Sequence, residues 1–232
     1  MDDVIGFAKM AIAVPGFDNP LTFSDDDWRP HYNVLDYEGG WDVLTLRSPG
    51  GQADSIFADP VGKGEFADTP YMDNFPFAKK LMAALHCPLM SVRLLNLKAG
   101  AVIKTHRDIE LSYEKGEARL HFPLITNNRV EFYVNDVQIN MQPGECWYIN
   151  ANLPHRVANF GTEDRIHLVV DCVVNSWLKT VFDRSEKVRF KQNDRTEETL
   201  RAIAELRLQQ NDTAHKIADE LESKLFAQND AE

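Results

Sequence analysis

Residues 118–150 read ARLHFPLITNNRVEFYVNDVQINMQPGECWYIN, and this stretch decides the fold. Its apolar runs are short: Ala118–Ile125, Val130–Val134, Val137–Met141 and Cys146–Asn150. Turn formers separate them: Asn127-Asn128, Asn135-Asp136 and Pro143-Gly144. Short β-branched and aromatic runs between such turns read as strands of a sandwich or barrel. The pattern extends both ways. Val92–Lys98 and Ala101–His106 precede it, and His155–Phe160 and Arg165–Val173 follow. Eight strands in series point to a mainly β fold: a double-stranded β-helix, the jelly roll of cupin-like proteins, with flanking helices.

The flanks differ in texture. Pro15, Pro20, Pro30, Gly39-Gly40, Pro49 and Pro60 break residues 1–90 into short pieces. Within them Trp41–Arg47 reads as a strand, and Asp73–His86 as a helix capped by Asp73 or Asn74. After Trp177, Asp183–Glu198 is charged and reads as a solvated connection. Thr196–Phe226 then carries a helical stripe through Leu200, Ile203, Leu208, Ile217, Leu221 and Leu225, with a break at Asn211-Asp212-Thr213. The reading divides the chain into an irregular region packed on the barrel (1–90), a jelly-roll core (91–178) and a charged linker with helices (179–232). The stripe fits packing on the domain or a dimer contact, so a monomer or a homodimer is expected.

Composition narrows the function. The chain has 232 residues, with 25 Lys and Arg against 36 Asp and Glu, a net charge of −11. That balance argues against a general nucleic-acid binder, which needs clustered basic residues. No apolar run approaches the length of a membrane span. Met1-Asp2-Asp3-Val4 has no basic signal-peptide start, so a cytoplasmic protein with reduced thiols is expected. Cys87, Cys146 and Cys172 match no zinc spacing, and the last two sit in apolar strands as inert small hydrophobes.

The chemistry gathers at Lys104-Thr105-His106-Arg107-Asp108. Side chains two apart on a strand share a face, so His106 and Asp108 can chelate one metal ion. His155, in Leu153-Pro154-His155, offers a third ligand. Two histidines and one carboxylate form the facial triad of non-haem Fe(II) oxygenases and leave three positions open. Each element has a plainer reading, as a solvated turn pair and a loop histidine. Arg165 opens an apolar strand ten residues beyond His155. A buried arginine needs an anion, either a dicarboxylate co-substrate or an internal partner such as Asp164 or Asp171. Arg119 and His121 share another strand face and suit a carboxylate; they also fit a surface charge and a core histidine.

Other charges read as scaffold: Arg47, Arg93, Arg107 and Arg156, the last two facing away from the ligands beside them. Trp41, Trp147 and Tyr148 read as core, and His167 as a buried, hydrogen-bonded histidine.

Taken in order, His106-Arg107-Asp108, Arg119-Leu120-His121, Leu153-Pro154-His155 and Asp164–Asp171 resemble the aspartyl/asparaginyl β-hydroxylase family of 2-oxoglutarate oxygenases. The bacterial members that hydroxylate proline in the cis sense share the pattern. The resemblance covers roughly Tyr37 to Val174 and implies Fe(II), 2-oxoglutarate and O2. It makes His106, Asp108 and His155 the metal ligands and sets Arg165 on the distal carboxylate of 2-oxoglutarate. It sets Arg119 and His121 near the metal-bound end. The best-known animal members lack the carboxylate ligand; Asp108 brings this chain closer to the proline hydroxylases. The expected activity is hydroxylation of a C–H bond in an amino acid, free or within a peptide or protein. Two alternatives stand beside it: another jelly-roll metalloenzyme, such as an isomerase or cofactor-free dioxygenase, and a non-catalytic binding module.

Overall fold

The run Arg165-Ile-His-Leu-Val-Val-Asp-Cys-Val173 forms one long strand at the centre of the larger of two antiparallel sheets. Both of its faces are buried. Ile166, Leu168, Val170 and Cys172 enter the main hydrophobic core, while Arg165, His167, Val169 and Asp171 alternate onto the opposite face. That alternation sets the plan of the molecule: one face of the sheet builds the core and the other builds a polar cavity.

The computed structural model describes residues 3–16, 24–56, 65–108, 111–191, 202–203, 206–207 and 212–229. In chain order the strands are β1 (Asp3–Lys9), β2 (Arg29–Pro30), β3 (Tyr37–Glu38), β4 (Trp41–Pro49), β5 (Phe66–Asp68), β6 (Leu89–Leu97) and β7 (Val102–His106). They continue as β8 (Glu117–Ile125), β9 (Val130–Val134), β10 (Val137–Ile139), β11 (Trp147–Ile149), β12 (His155–Asn159), β13 (Arg165–Val173) and β14 (Glu186–Lys191). The helices are α1 (Pro76–Ala83), α2 (Ser176–Arg184) and α3 (Asp212–Asn229). The larger sheet runs β14-β1-β11-β8-β13-β6-β4-β2 with β5 on β4, and the smaller runs β10-β9-β12-β7-β3. This is the jelly roll expected from the eight-strand pattern.

The core lies on the outer face of the larger sheet. Leu44, Leu46, Leu94, Leu120, Phe122 and Tyr148 meet Ala78 and Leu81 of α1 and Leu178 and Phe182 of α2. Turn chemistry fixes the strand joins. Asn135 and Asp136 both have positive φ and close the two-residue β9–β10 hairpin, which needs that conformation at both positions. Gly39 (φ +82°) carries the chain from the smaller sheet to the larger, and a Cβ there would stand 2.9 Å from that of Ala101.

Two compact units separate: Ile5–Arg189, and a smaller one of Met1–Val4 with Phe190–Glu232. Several flanking elements differ from expectation. Residues 3–9 form β1, a strand of the larger sheet, where no strand was read. The helix expected from Asp73 begins at Pro76 after a 3-10 turn over Pro70–Asn74, with Phe75 rather than Asp73 or Asn74 at its cap. The expected solvated connection contains the end of α2 and strand β14. An edge strand is held by backbone hydrogen bonds along one side, so its charged composition hides it from an apolar pattern. Among the described side chains of the expected stripe, Ile203 is buried and Ile217 is 44% exposed, while Ala214 and Ala218 are buried beside it in α3. Most of 196–211 lies outside the described residues. Among the described residues, no helix is long and apolar enough to cross a membrane.

Candidate metal centre

Two paired strands of the smaller sheet bring the histidines together. His106 ends β7, His155 begins β12, and the two are register partners. Their ring centroids are 4.2 Å apart. Each Nδ1 sits against a carbonyl oxygen two residues back: Lys104 at 2.9 Å for His106, Leu153 at 3.0 Å for His155. In each ring Nδ1–H then donates to that carbonyl, which leaves Nε2 with a free lone pair, the arrangement of a metal-ligating imidazole. Asp108 follows β7, where its backbone N–H donates to Ala151 O at 2.8 Å. Its Oδ1 lies 3.8 Å from His106 Nε2. One ligand atom from each of the three residues lies within 4.8 Å of the other two. The three therefore fit a single ion, and their donor set of two imidazoles and one carboxylate suits Fe(II).

The electrostatics agree with that fit. Burial and the neighbouring His106 push the His155 ring down to about 4, so it is neutral and ready to ligate. Burial opposes ionisation of Asp108, but Arg119 and the two histidines outweigh it and hold the carboxyl at about 2.

The cavity containing this cluster lies between the sheets. Trp41, Arg93, Arg119, His121 and Arg165 line it from the larger sheet, Ile103, Phe132 and the two histidines from the smaller, and His31, Tyr32, Asn33 and Asp36 from a loop. Arg165 is 2% exposed. Neither acid weighed as its internal partner reaches it. Asp164 accepts from Asn96, Ala99 and Lys98, and Asp171 from Ser91, Arg93 and Arg119. Among the described residues, Arg165 meets the His167 ring at 2.7 Å and the Phe132 face at 5.6 Å, and no carboxylate. Its Nε is buried without a partner. Burial alone pushes this guanidinium down to about 9, which still leaves it charged at neutral pH.

Arg119 is buried, against its reading as a surface charge. It spans two acids, with Nε donating to Asp171 Oδ1 at 2.7 Å and Nη1 pairing with Asp108 Oδ2. His121 is buried, with Nδ1 lacking a partner among the described residues and its ring edge-on to Phe132 and His167. His167 is the buried, hydrogen-bonded histidine expected. Arg107 and Arg156 face away from the cavity, toward Asn152 O and Asp136. Arg47 pairs with Asp68. Tyr148 is core, while Trp147 is half-buried and donates to Glu145. Arg93 is a buried scaffold charge paired with Asp171, and both it and the buried Trp41 also line the cavity. Antiparallel register, which one strand's sequence does not show, brings Arg93 there.

His31 was not singled out from sequence. Its ring stacks on Trp41 with centroids 3.5 Å apart and planes 13° from parallel. Burial pushes it down to about 3. Burial also keeps His121 and His167 well below the ordinary histidine range. These three rings stay neutral in the fold but protonate in the unfolded chain below about pH 6.5. The unfolded state then binds more protons, so stability falls as pH falls. Each ring contributes about 1.4 kcal/mol per pH unit. In the metal-free protein His155, held at about 4, adds a fourth such ring, so denaturant melts should lose about 5 kcal/mol from pH 6 to pH 5. A flat profile over that range would show that the rings are not held neutral.

The profile of the family described as Aspartyl/Asparaginyl beta-hydroxylase matches residues 19–174. L-proline cis-4-hydroxylase of Rhizobium meliloti (strain 1021) is 29% identical over 136 residues, covering 57% of this chain and 48% of the relative. L-proline cis-3-hydroxylase 2 of a Streptomyces species is 27% identical over 137 residues, covering 57% and 47%. The chain thus spans about half the length of the curated relatives it matches. Among solved structures, a 2OG-Fe(II) oxygenase family oxidoreductase from Burkholderia pseudomallei aligns with a TM-score of 0.43 at 12% identity, covering 64% of this chain and 76% of that one. With the family profile matching from before β2 to the end of β13, the chain belongs to the aspartyl/asparaginyl β-hydroxylase family.

Proposed function

We propose that the chain is an Fe(II)- and 2-oxoglutarate-dependent dioxygenase that hydroxylates a C–H bond of an amino acid, free or within a peptide. The observation that carries this reading is Arg165, a buried cation without an acid partner among the described residues, in the same cavity as His106, Asp108 and His155. A buried unpaired charge is costly, and a dicarboxylate co-substrate would complete it. An isomerase or a cofactor-free dioxygenase has no need of that anchor.

In this reading His106 Nε2, Asp108 Oδ1 and His155 Nε2 hold the metal. Fe(II), when bound, supplies the redox chemistry that couples O2 and the conversion of 2-oxoglutarate to succinate and CO2 to insertion of a hydroxyl group. The residues of the chain position and exclude. Arg165 holds the distal carboxylate of 2-oxoglutarate through its planar fork. His121, neutral and with an unsatisfied ring nitrogen, is the donor left for the metal-proximal end, because Arg119 is occupied by two acids. Trp41, Phe132 and Ile103 give the cavity apolar walls that keep bulk water from the reacting carbon.

The relatives named for cis-hydroxylation of L-proline make that amino acid the first substrate to test. The assay supplies Fe(II), 2-oxoglutarate and air, with single L-amino acids and short proline- or aspartate-containing peptides. Mass spectrometry should find one substrate gaining one oxygen atom, with succinate formed in equal amount. Isomerised or unchanged products, with no succinate above background, would overturn the reading.

A further inference from the structure

We propose that Asp171 is a positioning residue for the metal centre, acting through Arg119 on the Asp108 carboxylate; this rests on Asp108 being a metal ligand. Asp171 is 1% exposed and lies on β13, as the register partner of Arg119 on β8. Four donors converge on its two oxygens. Arg119 Nε gives 2.7 Å to Oδ1, and Oδ2 takes Arg119 Nη2 at 3.0 Å, Arg93 Nη2 at 3.0 Å and Ser91 Oγ at 2.8 Å.

The guanidinium is a rigid plane. Once Asp171 grips Nε and Nη2, the direction of Nη1 is set, and Nη1 pairs with Asp108 Oδ2. That pairing occupies one carboxylate oxygen and leaves Oδ1 facing the histidine pair, 3.8 Å from His106 Nε2. Asp108 therefore presents a single oxygen to the metal, which keeps the remaining coordination positions open. Ser91 and Arg93 fix Asp171 in turn. The two arginines and two aspartates balance in charge, so the cluster is tolerated in a buried place. A pair that served the fold alone would have no reason to end on the non-ligating oxygen of the carboxylate whose other oxygen faces the histidine pair.

The test is Mn(II) binding to the purified full chain, read as loss of the free Mn(II) resonance signal. Asp171→Asn should weaken binding about 10- to 100-fold, the range for partners of metal ligands. Arg119→Gln should do the same. The double variant should bind no more weakly than Arg119→Gln alone, because Asp171 acts through Arg119. A role of Asp171 independent of Arg119 would instead give losses that multiply. Ser91→Ala removes one hydrogen bond to Asp171 and serves if Asp171→Asn does not fold. It should weaken Mn(II) about fivefold, and the effect should vanish in the Arg119→Gln background. Wild-type affinity in folded Asp171→Asn or in Ser91→Ala, or losses that multiply in the double variant, would overturn the proposal. If the unaltered chain binds no Mn(II), the metal-centre reading itself falls; binding unchanged across the variants removes only the role of Asp171.

Discussion

Replacing Asp108 with alanine is expected to reduce succinate formation to background while leaving the fold intact. Asp108 supplies the single carboxylate of the cluster, and its Oδ1 faces the histidine pair. Loss of a partner of a metal ligand costs about 10- to 100-fold, so loss of the ligand itself should cost more than about 100-fold. The fold should survive because Arg119 keeps its two bonds to Asp171. The checks are succinate release with 2-oxoglutarate and Fe(II), and thermal denaturation of both proteins. Full turnover in a folded Asp108→Ala variant would mean that Asp108 is no ligand.

The second large effect has opposite signs in two measurements. Arg165→Met removes a buried cation that has no acid partner among the described residues and puts an apolar chain in its place. Exchanging a buried charge for a hydrophobe of similar volume is often neutral or stabilising. The free protein should therefore melt at the same temperature or higher. Affinity for 2-oxoglutarate should fall by about 3 kcal/mol, roughly 150-fold, as when one partner of a buried charge pair is truncated. His167 can follow the change by switching tautomer, since its Nδ1 loses only the Arg165 contact. A lower melting temperature with unchanged 2-oxoglutarate affinity would make Arg165 a structural cation instead.

The strand pattern and the polar residues on it were legible for a common reason. A period of two separates the apolar side chains of β13 from Arg165, His167 and Asp171, and those of β8 from Arg119 and His121. Which of these residues would touch was not legible. Asp171 shares a face with Arg165, but six residues along a strand is about 20 Å, so the two cannot meet. Antiparallel register brings Asp171 opposite Arg119 instead, and Arg93 beside it. Register is a property of paired strands and cannot be read from one of them. His31 was invisible for another reason. It lies in an irregular loop, where no periodicity assigns a face, and its backbone bond to Trp41 O and its stacking on the Trp41 ring bring it into the cavity. Strands β1 and β14 were missed because each lies outside the regular series of turns from which the jelly roll was read.

The most direct test of the central claim, that His106, Asp108, His155 and Arg165 together hold Fe(II) and 2-oxoglutarate, is a visible spectrum. The protein is loaded with Fe(II) without oxygen, and 2-oxoglutarate is added. Three protein ligands on one face leave room for a 2-oxoacid to chelate the metal through two oxygens. A weak metal-to-ligand charge-transfer band should appear on addition, bleach when air and a substrate are admitted, and be lost in Arg165→Met at modest 2-oxoglutarate concentration. Protein that carries Fe(II) but shows no band on adding 2-oxoglutarate would contradict the claim.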